Sequence, residues 1–599
     1  MMDSVKVLAG MAAVVGLVGC GGSDDPDPLQ TYREQVVQWT ACDESILGNR
    51  SDKLVAVWEQ VSSRLQCATI KAPLDWSQAD RGDVSLGMMR IAAGTRDQRR
   101  GALFFNPGGP GIDGLKNTFG LAVALYDSNP ESPQGALLKR VVDAYDLVGF
   151  SPRGVGASTR LECGSNELER RLLTSAAEWD TPQNIADANY NGRMQAQACL
   201  KNPMAPYINS DATARDMDLM RTLLGDDQLN YVGYSYGTWL GSWYANLFPQ
   251  HVGRMVLDSS VDFTRTLQKA VFYGQPPARQ QLFDDVLAPY AARHNALFGL
   301  GATRAETQSV MPGLQPKVQQ LLAVELSNLG YARSDADAYL KQLVGARGFD
   351  TILRSAVNPK DIQAVQAAIN AYPFLPNASP FENSEVAAMA TRFYRGYYDQ
   401  WLVPAPLSSF ANNASASTSM AIHCNDTPVV TDLTGWERAV RDFAVSAPMF
   451  FQTTLQFHAC PFWGGPSVRK PDFKAMEPLN VLFVQSQYDA ATYTPFADQY
   501  FDQLPRAQRV YVRDDFQHAV FPYGDTCVDP TVLNYLLGNP LGERQLVCPG
   551  LPLPQDLAAS ANAGQKSAVA AGSMFQNPAA AQGLIDQFKR SVIPPALSH

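Results

Sequence analysis

Three things are scarce in this sequence: long apolar runs, metal-ligand spacings and blocks of positive charge. No stretch reaches the ~20 consecutive apolar residues that a membrane-spanning helix needs, and the nearest approach, from Val7 to Gly19, is too short. Six histidines are scattered through the chain, with no HExxH and no paired CxxC, so the usual patterns of a metal enzyme are missing and no cofactor is expected. The 48 basic residues are outnumbered by 58 acidic ones, giving a formal net charge of −10. With no cationic block or stripe to track phosphates, nucleic-acid binding is disfavoured. A chain that is 46% hydrophobic and 18% charged is not disordered either. At ~150 residues per domain, 599 residues would make about four domains, but large α/β folds with insertions need fewer. Against this background the nine cysteines stand out.

The first of them closes an N-terminal export pattern. Lys6 precedes the small-residue apolar run, which ends Leu17-Val18-Gly19-Cys20 and resembles the lipobox of bacterial lipoproteins. That resemblance implies cleavage before Cys20, acylation of Cys20, and a cell-envelope protein held to a membrane by lipid alone; a plain secretory peptide cut nearby is the alternative. Gly21 to Pro28 is polar and suits a tether. The remaining eight, Cys42, Cys67, Cys163, Cys199, Cys424, Cys460, Cys527 and Cys548, form an even set in an exported chain and read as disulfides. They fall into four sequence-local couples, 42–67, 163–199, 424–460 and 527–548. A rival reading places zinc on His423, Cys424, His458 and Cys460, but adjacent residues of an extended chain point to opposite faces and seldom share an ion.

From Gly101 to about Phe263, apolar runs alternate with helical stretches, the order of a parallel sheet with crossover helices. Residues 102–105, 145–150, 229–234 and 254–258 read as successive strands, with 67–70 and 84–91 as an antiparallel leading edge. From about Thr264 to Pro478 the alternation gives way to helical spacing, which predicts an inserted helical cap. Strand signals return at 479–484 and 509–512. The expected organisation is a signal peptide at 1–19, a tether at 20–34, an α/β core in two parts, 35–263 and 479–553, the cap between them, and a peripheral Ala-rich tail at 554–599.

Gly233-Tyr234-Ser235-Tyr236-Gly237 lies between a predicted strand and a predicted helix, the context a nucleophile elbow requires. A tight turn there demands small residues two before and two after the serine. The base belongs late in the chain, after the last strand, and His518 alone among the histidines is so placed. Asp489, in the long loop after 481–484, is the expected orienting acid, with Asp258 one strand earlier as the alternative. The order Ser235, Asp489, His518 is that of the α/β-hydrolases. Asn106-Pro107-Gly108-Gly109-Pro110-Gly111 follows the first core strand, where an oxyanion loop belongs. The Gly109 N–H and the Tyr236 N–H are the candidate donors.

Residues 106–111, the Asp146–Ser158 segment with Pro152-Arg153-Gly154-Val155-Gly156, the run from Leu229 to Asp258, and Cys527 through Cys548 together resemble secreted tripeptidyl aminopeptidases and their proline-iminopeptidase relatives. The resemblance implies an α/β-hydrolase fold with a helical cap and a serine exopeptidase taking one to three residues from free peptide N-termini. It supports Ser235, Asp489 and His518 as nucleophile, acid and base. Two positions depart from it: Ser151 stands where relatives usually have Asp, and Gln517-His518-Ala519 replaces Gly-His-Gly. Such enzymes neutralise the substrate ammonium with cap carboxylates, for which Asp426, Glu382 and Glu385 are candidates. The aromatics of 392–401 and 457–463 either line an apolar pocket or pack the cap. The expected substrate is a peptide; a carboxylesterase with the same triad, and a non-catalytic envelope binding protein, are the competing readings.

Overall fold

The computed structural model describes residues 27–47, 52–126, 129–375, 377–455 and 458–562, together with 585, 586 and 589. The expected signal peptide and the expected lipid-attachment residue Cys20 lie outside the described residues. Ten strands form one sheet: β1 (Thr40–Ala41), β2 (Leu65–Pro73), β3 (Asp83–Ile91), β4 (Ala102–Asn106), β5 (Asp146–Phe150), β6 (Leu229–Tyr234), β7 (Val252–Asp258), β8 (Leu482–Ser486), β9 (Gln508–Arg513) and β10 (Gln545–Pro549). Their order is β1-β2-β3-β5-β4-β6-β7-β8-β9-β10. The pairs β1/β2, β2/β3 and β3/β5 are antiparallel, and every pair from β5 to β10 is parallel.

Strands β4, β5, β6 and β8 are buried at every position, as central parallel strands covered on both faces must be. Alternation then sorts their side chains between two cores. Phe104, Tyr231 and Leu257 face one core with Trp239 and Trp243, whereas Leu103, Phe105, Val232 and Val256 face the other with Phe119, Val532 and Leu533. The helices that matter below are α1 (Gly114–Tyr126), α2 (Ser210–Leu223), α3 (Tyr236–Leu247), α4 (Ala414–Asn425) and α5 (Val528–Leu536).

Among the described residues of 264–478 the regular elements are helices apart from Ser409–Asn412, which pairs with Cys163–Leu168, but they do not form a single body. Residues from Leu282 to Tyr394 enclose their own core around Tyr290, Leu343, Phe349 and Phe393. By contrast Met420, Ile422, Cys424, Cys460 and Trp463 join the sheet-side core of Trp239 and Trp243. The segments 420–424 and 459–463 of the predicted insertion therefore pack with the hydrolase body, whereas Ala447, Met449 and Phe450 join the cap core and Trp436, Val440 and Phe451 pack on Trp179. The tail is not wholly peripheral: Ile585 is fully buried and Lys589 is 2% exposed.

The eight cysteines form the disulfides 42–67, 163–199, 424–460 and 527–548. Each closes a loop of 21 to 36 residues and so contributes roughly 2–4 kcal/mol, mainly by restricting the unfolded chain. The 424–460 bond removes both sulfur ligands of the alternative zinc site. His423 Nδ1 bonds the Ser419 carbonyl, and His458 Nε2 bonds Asn189.

Candidate active site

Strand β6 ends at Tyr234 and α3 begins at Tyr236, leaving Ser235 alone in the turn at φ 55°, ψ −124°. A non-glycine residue in this region is strained. The turn is so tight that a Cβ on Gly233 would lie 2.5 Å from the Gly237 carbonyl oxygen. One on Gly237 would lie 2.7 Å from that of Asn106. Both flanking glycines of the motif are thus required by backbone contacts. The Ser235 N–H donates to the Asp258 carbonyl (3.0 Å), and Thr238 donates to the Ser235 carbonyl through its N–H and its hydroxyl. Ser235 is 9% exposed at the C-terminal edge of the sheet, the end where open α/β sheets place their ligands.

His518 follows β9 and Asp489 follows β8, and the two meet. His518 Nδ1 lies 3.0 and 2.9 Å from the two Asp489 carboxylate oxygens. Asp489 Oδ1 also accepts the N–H groups of Ala491 and Thr492, which fixes the carboxylate. Nδ1 therefore carries the proton and donates it to Asp489, leaving Nε2 as the basic nitrogen. The alternative acid, Asp258, has a different task. Its carboxylate accepts the N–H groups of Val520 (2.8 Å) and Phe521 (2.6 Å), while Ser259 Oγ accepts that of Ala519. Burial pushes Asp258 up to about 6 against the pull of those amides. The end of β7 thereby ties the nucleophile's strand to the histidine loop.

The glycine loop after β4 lies directly over the elbow. A Cβ on Gly108 would sit 2.4 Å from the Tyr234 carbonyl oxygen, 3.0 Å from Ser235 Cβ and 3.1 Å from the Tyr236 nitrogen. Among the described residues, the Gly109 and Tyr236 N–H groups are committed to no internal hydrogen bond, as oxyanion donors should be before a substrate arrives. Gly108 also has φ +94°, and the atom it would strike hardest, the Tyr234 carbonyl oxygen, is backbone. Gly108→Ala is accordingly expected to lower kcat by ~10²-fold or more and to lower the melting temperature. A folded variant with wild-type kcat would contradict the placement of this loop.

Both departures from the family pattern have local explanations. Ser151 Oγ donates to Asp113 Oδ1 (2.7 Å) at the start of α1, so a carboxylate from a neighbouring loop supplies the charge missing at 151. Nearby, Arg153 is fully buried and forks onto Asp216 at 2.7 and 2.6 Å; breaking such a pair costs roughly 3–5 kcal/mol. Gln517 clamps the cap to the histidine loop. Its Oε1 accepts the Arg333 N–H (3.2 Å), its Nε2 donates to the His518 carbonyl (2.7 Å), and the His518 N–H donates to the Tyr331 carbonyl (2.8 Å). Ala519 has φ 55°, a conformation glycine adopts freely and alanine does not. No sequence signal marks Tyr331, which comes from the cap and sets its ring edge-on to His518 at 6.3 Å.

The three expected ammonium ligands each have an internal partner. Asp426 is completely buried and accepts from the Ser210 N–H (2.8 Å), Ser210 Oγ (2.5 Å) and Trp239 Nε1 (3.0 Å), pinning α4 to α2 and α3. Glu382 closes a capping box with Ser379, and Glu385 pairs with Lys341 at 2.9 Å. All three carboxylates are spent on structure. The aromatics pack rather than line a pocket: Tyr394 and Tyr397 border Phe349, and Trp463 Nε1 bonds Asn425; Phe457 lies outside the described residues.

Burial lifts Asp426 to about 7 despite its three donors. The folded protein then keeps a proton that an unfolded carboxyl has released. The resulting stability, on the order of 4 kcal/mol, is complete below pH ~4 and is lost as the pH rises to about 7. Asp426→Asn should flatten this slope. Its urea midpoint is expected to fall less between pH 5 and 8 than that of the wild type, and an unchanged fall would contradict the assignment.

Sequence comparison places this geometry among known proteins. A family model described as alpha/beta hydrolase fold matches residues 101–297, and one described as TAP-like protein matches residues 447–548. Tripeptidyl aminopeptidase of Streptomyces coelicolor is 30% identical over 514 residues, covering 81% of this chain and 83% of that protein. Serine protease Hip1 of Mycobacterium tuberculosis is 28% identical over 89% of this chain and 95% of its own. Carboxylesterase B of the same organism is 26% identical over 88% and 94%. Among solved structures, proline iminopeptidase of Mycobacterium smegmatis aligns with 79% of this chain and 98% of its own at 13% identity, with a TM-score of 0.29.

Proposed function

Since the chain belongs to the tripeptidyl aminopeptidase-like family of α/β-hydrolases, we propose that it is a serine peptidase removing short peptides from free N-termini through an acyl-enzyme on Ser235. The observation that carries this reading is the strained Ser235 turn under the glycine loop, joined through Asp258 to the loop that brings His518 onto the buried Asp489. Nε2 of His518 takes the hydroxyl proton as Ser235 Oγ attacks the scissile carbonyl, and the developing oxyanion is met by the Gly109 and Tyr236 N–H groups. The imidazolium, held by Asp489, then protonates the leaving amine. Water repeats the sequence to release the N-terminal fragment. No cofactor takes part in this scheme.

The test uses arylamide peptides of one to three residues, with free and with blocked N-termini, and short aryl esters of simple acids. Cleavage of free peptides well above blocked ones supports the reading. Activity confined to simple esters would replace it with a carboxylesterase, the activity named for one relative.

For location, we propose an exported protein anchored by lipid at Cys20. The Leu17-Val18-Gly19-Cys20 motif and four disulfides support this, and no described helix is long and apolar enough to cross a membrane. Cys20→Ser should move the protein from the membrane fraction to the soluble one.

A further inference from the structure

The loop that carries His518 is held by buried carboxylates on both sides of the histidine. Asp515 Oδ1 accepts the Gln517 N–H (2.7 Å), and the Asp258 carboxylate accepts those of Val520 and Phe521. Beyond them, the Asp529 carboxylate accepts the N–H groups of Tyr523 (2.7 Å) and Gly524 (2.6 Å). Asp258 and Asp529 are fully buried, and Asp515 is 2% exposed. Carboxylates buried this deeply are costly to ionise unless a cation balances them.

That cation comes from the far end of the chain. Lys589 is 2% exposed and its Nζ donates to the Val520 carbonyl at 3.0 Å, two residues past His518. Its charge interacts with Asp258, Asp515, Asp529 and its own neighbour Asp586, and reaches Asp525; the Tyr523 ring lies 5.6 Å away. Burial lowers Lys589 to about 8 against these attractions, so the ammonium is charged at neutral pH. Burial also raises Asp529 to about 7.

We propose that Lys589 is a positioning residue for the hydrolytic reaction: its ammonium, bonded to the Val520 carbonyl, balances the Asp258 carboxylate that holds the Val520 and Phe521 amides, and so sets His518 against Asp489. The inference rests on His518 being the general base. The groups facing His518 are Asp489, Asp258 and the Tyr331 ring. Loss of the ammonium leaves the negative charge beneath the loop unbalanced. Asp258 then protonates at higher pH and loosens its hold on Val520 and Phe521, and any charge it retains favours the imidazolium over the neutral base. Both effects move the acid limb of kcat/KM in the same direction, upward.

The test compares Lys589→Met, Lys589→Gln and Lys589→Arg in the full chain, with rates expressed per active site titrated by a fluorophosphonate. In both neutral variants the acid limb is expected to rise by about one pH unit, with kcat/KM lower by about tenfold below neutral pH. Lys589→Arg should keep the wild-type limb. A limb unmoved in the neutral variants overturns the proposal. Neutral variants that fail to fold while the Arg variant folds also overturn it, by assigning Lys589 to the core rather than to the histidine. Ser235→Ala runs alongside: activity surviving there sinks the peptidase reading itself, whereas abolished activity with an unmoved Lys589 limb sinks only this inference.

Discussion

Ser235→Ala lowers kcat on a free peptide arylamide by roughly 10⁶-fold, while the variant keeps the wild-type melting temperature. The size of the effect follows from what the hydroxyl does. With no Oγ there is no acyl intermediate, and His518 has no proton to take. What survives is binding and the glycine-loop amides, which by themselves give ~10³–10⁴-fold over water. Stability is unaffected because the φ of 55° at Ser235 is imposed by backbone packing at Gly233, Gly237 and Gly108, not by the side chain. The check is a kinetic comparison of separately purified proteins with matched thermal melts. A loss smaller than ~10³-fold would move the nucleophile to another residue.

Asp489→Asn is expected to cost about 10⁴-fold in kcat. Both carboxylate oxygens accept from His518 Nδ1, and Oδ1 also takes two backbone amides. An asparagine keeps its oxygen on those amides and turns its NH₂ towards the ring. Nδ1 must then become the acceptor, the proton moves to Nε2, and the base points away from Ser235. Asp258→Asn provides the contrast. It retains an acceptor for Val520 and loses the one for Phe521, so the expected loss is mainly of stability, with a smaller effect on kcat. Steady-state kinetics and urea melts on both variants separate the two roles, and equal kcat losses would contradict the division of labour between the two acids.

The site was readable where chemistry dictates local sequence. An elbow cannot be built without glycines at 233 and 237, because a Cβ at either collides with backbone. The all-apolar strands at 102–106 and 229–234 are forced by burial on both faces. Chain order then located Asp489 and His518, since the last two sheet crossovers leave few titratable groups in the right loops. The cysteines were legible for another reason: each bond closes a short loop, so sequence neighbours are also spatial neighbours.

Legibility failed where position depends on long-range packing. Asp426 has the composition of a ligand, but it becomes a structural acceptor because Ser210 and Trp239, some two hundred residues away, converge on it. Glu382 sits three residues after Ser379, a capping box that the sequence displays; that local signal outweighed the ligand reading. Helical spacing does not say which core a helix joins: α4 packs on the tryptophans of α3 rather than on the cap. Lys589 was invisible, since an isolated lysine in an Ala-rich tail has no local pattern to mark it. The same holds for the clamp of Gln517 on the Tyr331–Arg333 segment, which joins residues 184 apart.

The central claim is that Ser235 carries the acyl group of a peptide cut from its free N-terminus. The most direct measurement mixes the protein with an aryl ester of a free tripeptide, a substrate for which breakdown of the acyl-enzyme limits turnover, quenches in acid and weighs the proteolytic fragments. The account predicts that the fragment containing Ser235 gains the mass of the tripeptidyl group, and that the N-blocked ester leaves it little changed. An unmodified Ser235 during turnover, or the same mass on a different residue, would contradict it.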